Sequence, residues 1–274
     1  MKKPMFTFRG CFAVLLLTVM MLVACSTVPV TGRKQLNLVS SGEETQLGMT
    51  SFDQLKQETK ISHDAAANEM VQRVGKRIAM VASNDMPDAK WEFVVFDSPE
   101  ANAFCLPGGK VGVYTGILPI TKDDAGLATV IGHEVGHAVA HHGAERMSEA
   151  MLIQGGGQML GAGMSAADPT WQQATMLAYG AGAKVGRELP HSRAQESEAD
   201  RIGIMYMARA GYDPKESLEF WQRFSAYNQQ HGGGGDSWAA RFLSTHPVDS
   251  VRIEQLQKLL PQAEAEFGRS SVTR

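Results

Sequence analysis

Apolar residues recur at helical spacing along most of this chain and at strand spacing in only two short stretches. Met70, Val71, Val74, Ile78 and Val81 share one 3.6-residue stripe and predict a helix over 64–82. Helices are likewise predicted over 43–60, 193–210, 214–227 and 248–260, with Gly211 closing the third of these five. Residues 91–96, aromatic and β-branched, read as a strand. Residues 110–117 read as a second, entered through the Pro107-Gly108-Gly109 turn, with Val111, Val113 and Thr115 alternating around Gly112 and Gly116. Asp123 and Asp124 supply a cap and negative charge for a helix over 125–142, ending at Gly143. Methionine, alanine and clustered glycines over 147–186 suggest loosely packed helices with a mobile connection, and 231–235 reads as a flexible loop. The expected fold is α+β and predominantly helical, a small sheet lying beside the 125–142 helix.

The first 24 residues carry a different pattern. Lys2, Lys3 and Arg9 precede an almost unbroken apolar run from Cys11 to Ala24, as in a secretory signal peptide. The run is shorter than the roughly 20 residues a spanning helix needs. Leu22-Val23-Ala24-Cys25 resembles the lipobox of bacterial lipoproteins, in which the cysteine is acylated and becomes the first residue. Ser26 follows rather than Asp, which in such lipoproteins points away from the inner membrane and towards the outer one. The expected organisation is a signal peptide over 1–24, a lipid-anchored linker over 25–41 and one catalytic domain over 42–274. The expected location is the bacterial periplasm, with the lipid on Cys25 holding the chain to a membrane.

Removing the leader takes away three basic residues and no acid, so the net charge moves from −3 to about −6. That balance gives no electrostatic reason to expect nucleic acid. Of three cysteines only Cys105 remains free for other chemistry, and no internal disulfide is expected.

His133-Glu134-Val135-Gly136-His137 carries the chemistry. Side chains four apart lie on one helix face about 6 Å apart along the axis, so both imidazoles reach one ion. Glu134 is then placed as general base towards water on a Zn²⁺ ion, one per chain, that lowers the water's pKa to about 7. His141 stands about 12 Å along the helix from His133, too far to share that ion at Zn–N bonds near 2 Å. Ala140 and Gly143 stand where a metzincin has Gly and His, which removes that class. The third ligand is sought at Glu196-Ser197-Glu198-Ala199-Asp200. Glu196 and Asp200 share a helix face, so one can bind the metal while the other accepts the free N–H of a ligand histidine. Glu198 points elsewhere on that helix, and an acidic solvated face is the plainer alternative for the cluster.

His133-Glu134-x-x-His137 together with Glu196-x-Glu198-Ala199-Asp200-Arg201 resembles the HtpX-like gluzincin peptidases, which include envelope quality-control peptidases of the BepA and LoiP type and the CaaX prenyl proteases. The resemblance covers most of the chain after the leader. It implies Glu196 as third zinc ligand and Asp200 as partner of a ligand histidine. It also makes Asn102-Ala103-Phe104 and Pro107-Gly108-Gly109 look like a substrate-side strand, and Thr245-His246-Pro247 a downstream motif. In that family a histidine at the position of His246 lies near the metal, where it can block the open position; steadying an oxyanion or capping a loop are the alternatives. HtpX and the prenyl proteases are polytopic, whereas no later stretch here reaches spanning length.

The expected activity is a metalloendopeptidase for unfolded or misassembled envelope proteins. An edge strand carrying Asn102, Val111 and Val113 would pair with extended substrate. The alternative is an assembly factor of the outer membrane, working with envelope assembly machinery, whose proteolysis is latent.

Overall fold

The computed structural model describes residues 25–166, 168–184, 189–231, 246 and 250–270. It begins with a hairpin of two short strands, β1 (Cys25–Thr27) and β2 (Lys34–Leu36), paired antiparallel with Ser26 opposite Gln35. The sequence suggested a linker here, but the segment folds back at Gly32, where φ is +71°. It buries Val28 and Gln35. Three-residue strands carry too little alternation to be read from pattern. The expected signal peptide, the glycines at 232–235, Thr245 and Pro247 all lie outside the described residues, as does the Cys25 side chain.

Helix α1 (Ser41–Glu58) opens on a reciprocal cap between Ser40 and Glu43. Helix α2 (Ala65–Ala82) opens on Asp64, whose carboxylate accepts from the Ala66 and Ala67 amides. The predicted stripe faces inward, with Val71, Val74 and Ile78 buried. A three-stranded sheet follows: β3 (Glu92–Phe96), β4 (Ala103–Leu106) and β5 (Lys110–Tyr114), in the order β3-β5-β4. β5 runs parallel to β3 and antiparallel to β4, with Val113 opposite both Val95 and Ala103.

That order corrects the expected substrate strand. Val111 and Val113 belong to the central strand, are fully buried and have their backbone paired on both sides, so they cannot receive a peptide. Of the two edge strands, β3 is partly covered by residues 60–62, through the Ser62 N–H bond to the Val95 carbonyl and the Ile61–Phe96 bridge, whereas no described strand pairs with the outer side of β4, which follows directly after Asn102. Strand order depends on tertiary pairing and has no local signature.

Beyond β5 a 3₁₀ turn (Thr115–Ile117) and α3 (Leu118–Thr121) lead to α4 (Asp124–Val139), capped by Asp123. Every residue from Gly126 to Val139 is buried, because α4 packs against α2, β4 and later helices. The predicted stop at Gly143 is three residues late. The chain leaves the helix at Ala140 and turns through His141, held left-handed at φ +55°. It re-enters a helix at α5 (His142–Gly163), followed by α6 (Pro169–Ala183). Then come α7 (Leu189–Arg209), α8 (Lys215–His231) and α9 (Ser250–Arg269). α9 continues past Pro261, Leu256 and Ala263 being buried on its inner face. No described helix is long and apolar enough to cross a membrane.

Among the described elements α4 and α7 form the most extensive pair, and their backbones nearly touch. A methyl on Gly203 would lie 2.8 Å from the His133 backbone nitrogen, and one on Gly136 2.8 Å from the Ala199 carbonyl oxygen. Gly203→Ala is therefore expected to force the two helices apart and destabilise the protein by about 1–3 kcal/mol, the usual range for overpacking. Denaturant unfolding of wild type and variant checks this; equal midpoints would show that the crossing tolerates a side chain.

Candidate metal centre and active site

The close crossing brings one face of α4 against one face of α7. His133 Nε2 and His137 Nε2 are 3.1 Å apart. His133 Nε2 lies 3.3 Å from Glu196 Oε2, and His137 Nε2 lies 3.2 Å from Glu196 Oε1. Tetrahedral ligands at zinc's ordinary Zn–N and Zn–O bond lengths sit about 3.3 Å from one another, so the triangle has the right edge. His246 Nδ1 lies 3.3 Å from His133 Nε2 and 3.1 Å from Glu196 Oε2, and the four donor atoms all fall within 4.8 Å of one another.

The chemistry of the donors fits a cation. His133 Nδ1 is 2.9 Å from Asp200 Oδ1, and a carboxylate only accepts, so Nδ1 carries the proton and Nε2 presents a lone pair. Glu196 is fully buried, and its Oε1 has no hydrogen-bond partner despite lying 3.2 Å from His137 Nε2. Two lone pairs face each other there, the arrangement a shared ion satisfies. Burial pushes the Glu196 carboxyl up, but the three imidazoles of His133, His137 and His246 packed around it hold it far below the usual range. Burial lowers the His133 imidazole, yet Asp200 and Glu196 carry it up to about 9, so with no cation at the site Nε2 holds a proton that a binding cation would displace. His137 is held well below its ordinary value by burial. These donor residues fit zinc.

Glu134 occupies the next position on α4 and is 5% exposed, and its Oε1 accepts no hydrogen bond. Burial raises its carboxyl pKa. It lines an open cavity together with Asn102, Phe104, His137, Arg146 and His246. Cys105, the free cysteine, is buried in the same wall, where burial pushes its thiol well up and leaves it unreactive.

Asp200 is held in turn by Arg252 from α9, whose Nε and Nη2 each donate to it at 2.7 Å. Arg252 Nη1 lies 3.2 Å from Glu196 Oε2, and the guanidinium stacks over Trp221 of α8 at 4.3 Å. Burial works against the Asp200 charge, but Arg252 holds its carboxyl down at about 2. Replacing Arg252 by Leu removes the cation from two buried carboxylates. The expected cost is about 3–5 kcal/mol, typical of breaking a buried pair from one side. Chemical denaturation measures it, and a loss below about 1 kcal/mol would place the pair among weak surface ion pairs.

All the predicted metal-site residues come together: His133, His137 and Glu196 as donors, Asp200 behind His133, Glu134 beside them and His246 over them. Asn102 is at the cavity, whereas Val111 and Val113 are not. Three residues had no such reading. Glu198, expected to point elsewhere, is buried and bonded to His142, Arg33 and Thr31. His142 is fully buried with its Nδ1 2.8 Å from His137 Nδ1. At five residues from His137 it would face away on an unbroken helix, so only the turn at His141 reveals it. Arg33 lies far away in sequence, on the amino-terminal hairpin.

Comparison with known proteins gives the same answer. Residues 65–260 match the description Peptidase family M48. The mitochondrial metalloendopeptidase OMA1 of Schizosaccharomyces pombe is 35% identical over 86% of this chain and 67% of its own length. Human mitochondrial metalloendopeptidase OMA1 is 31% identical, covering 86% of this chain and 46% of its own. The beta-barrel assembly-enhancing protease of Escherichia coli is 25% identical over 89% of this chain and 50% of its own. With that match and these relatives, the chain belongs to Peptidase family M48 and is a zinc metalloendopeptidase.

Proposed function

We propose that this peptidase cleaves unfolded or misassembled proteins of the bacterial cell envelope, working in the periplasm from a lipid anchor on Cys25, most simply in the outer membrane. The observation that carries the substrate reading is the free edge of β4 beside Glu134. A folded client has no spare strand to lend, whereas an unfolded one pairs through its main chain with little regard to sequence. The leader and the Leu22-Val23-Ala24-Cys25 tetrapeptide support the location, and the E. coli relative acts, by its name, in β-barrel assembly.

In this reading His133, His137 and Glu196 hold the zinc, which supplies Lewis-acid polarisation of the scissile carbonyl and acidifies the attacking water. Glu134 takes the water's proton on its carboxylate and passes it to the leaving amine nitrogen. Its burial favours the proton-accepting step by raising its affinity for a proton. Asp200 keeps the His133 ring turned so that Nε2 faces inward. Digestion of a casein-type unfolded substrate beside a stably folded control tests the preference; equal rates on both would end the unfolded-client reading.

His246 stands where substrate must approach, 3.7 Å from Glu134 Oε1 as well as close to the donors. It is the brake in this proposal. His246→Ala is expected to raise basal proteolysis several-fold, read as initial rate on the same unfolded substrate. Unchanged or lower activity would sink the brake, and a fall would favour oxyanion stabilisation instead.

That placement also supports the second reading, an assembly factor whose proteolysis is latent and which works with envelope assembly machinery. Exposed Met151, Met159 and Leu177 on α5 and α6 offer adaptable apolar surface for clients. Full rescue of a deletion phenotype by Glu134→Gln would favour this reading over the peptidase.

A further inference from the structure

The two histidines on α4 are steadied by different means. His133 leans on Asp200, the single carboxylate commonly found behind a metal-binding histidine. His137 leans on a longer chain of groups that ends outside the family match. Its Nδ1 meets His142 Nδ1 at 2.8 Å, and the two rings stand edge to face with centroids 4.9 Å apart. His142 Nε2 meets Glu198 Oε2 at 3.0 Å. Glu198 accepts from Arg33 Nε at 2.7 Å and from the Thr31 hydroxyl. The rest of the Arg33 guanidinium donates to Glu145, at 2.7 and 2.9 Å, and to Gln35 Oε1 at 3.0 Å. Thr31, Arg33 and Gln35 all belong to the amino-terminal hairpin region, whereas the family match starts at residue 65.

Proton positions along this chain of groups follow from its far end. The Glu198 carboxylate can only accept, so His142 Nε2 is a donor. The neutral His142 ring then has a bare Nδ1, which accepts from His137 Nδ1–H. His137 Nε2 is left with a lone pair facing Glu196 Oε1, the tautomer a metal ligand requires. The backbone serves the same end. On a continuous helix residue 142 would project about 140° away from residue 137. The left-handed turn at His141 breaks α4 and swings His142 into line.

We propose that His142, Glu198 and Arg33 are positioning residues that fix the orientation and tautomer of His137, so that the amino-terminal hairpin is a working part of the zinc site. The inference rests on the reading of His137 as a ligand. Arg33 is the keystone: it pairs with both Glu145 and Glu198 and so ties the hairpin to α5 and α7 together.

The test is zinc affinity of the purified chain, measured by competition with a chromogenic chelator, alongside thermal stability of the metal-stripped protein. His142→Phe keeps the ring and removes both hydrogen bonds, and is expected to weaken zinc binding about 10–100-fold, as loss of a ligand's supporting partner does. His142→Gln can accept from His137 with its carbonyl and donate to Glu198 with its amide, and is expected to restore most of that loss. Arg33→Met, at a partly exposed position that spares the core, is expected to weaken zinc binding in the same direction while the metal-stripped protein stays folded. Wild-type zinc affinity in His142→Phe would overturn the inference, as would Gln and Phe variants that lose affinity equally. If His142→Phe fails to fold, wild-type affinity in Arg33→Met overturns it alone. His137→Ala separates the two levels: if it keeps zinc, the ligand reading itself is wrong. If it loses zinc while His142→Phe does not, only the positioning role fails.

Discussion

Glu134→Gln is expected to lower kcat for peptide hydrolysis by roughly 10²–10⁴-fold while the protein retains one zinc per chain. The substitution keeps the shape and one hydrogen-bonding oxygen but removes the proton acceptor. Glu134 is not among the donor atoms that converge within 4.8 Å, so metal content has no reason to change. Its burial makes the contrast sharper: a carboxylate with an oxygen that accepts no hydrogen bond in a low-dielectric wall takes a proton readily, and an amide there takes none. Turnover measured at saturating substrate, with zinc determined on the same sample, decides the matter. A variant that keeps both zinc and turnover would remove Glu134 from the chemistry.

Glu196→Gln should fail in the opposite way. Glu196 is the anionic donor of the trio, wholly buried, and faces both imidazoles. Replacing it leaves two neutral donors and turns one ligand oxygen into an amide that competes for hydrogen bonds. Zinc affinity is expected to fall by more than the roughly 100-fold upper range seen when a ligand's supporting partner is lost. Activity should vanish with the metal and return only partly under excess zinc. Arg252 keeps Asp200 as a partner in this variant, so the metal-stripped fold should survive and the loss can be read as metal binding. Wild-type affinity in Glu196→Gln would strip it of the ligand role.

Helices α2 and α4 were legible because their signals are local, the stripe from Met70 to Val81 and the Asp123 cap, whereas α1 was placed two residues late because the Ser40–Glu43 cap that opens it was not read. The metal donors were legible for the same reason, since both the His133/His137 and the Glu196/Asp200 pairs are set by helical spacing. The resemblance to a known family then chose between Glu196 and Asp200, and the short contacts of Glu196 to both imidazoles agree with that choice. What escaped is what the chain settles at long range. Glu198 looks solvated on its own helix and is buried only because Arg33, 165 residues away, comes to meet it. Asn102 and its strand were found by resemblance, whereas the pairing order that buries Val111 and Val113 was not. Histidine takes positive φ more readily than most side chains but still uncommonly, so His141 alone did not announce the turn.

The glycine contacts between α4 and α7 carry one more consequence. Main chain rests on main chain there, so the gap between the two histidines and the glutamate is fixed by peptide groups, which have almost no give. Any side chain wedged into that seam would move the two donor sets apart as it loosens the fold, so loss of stability and loss of metal binding should travel together there.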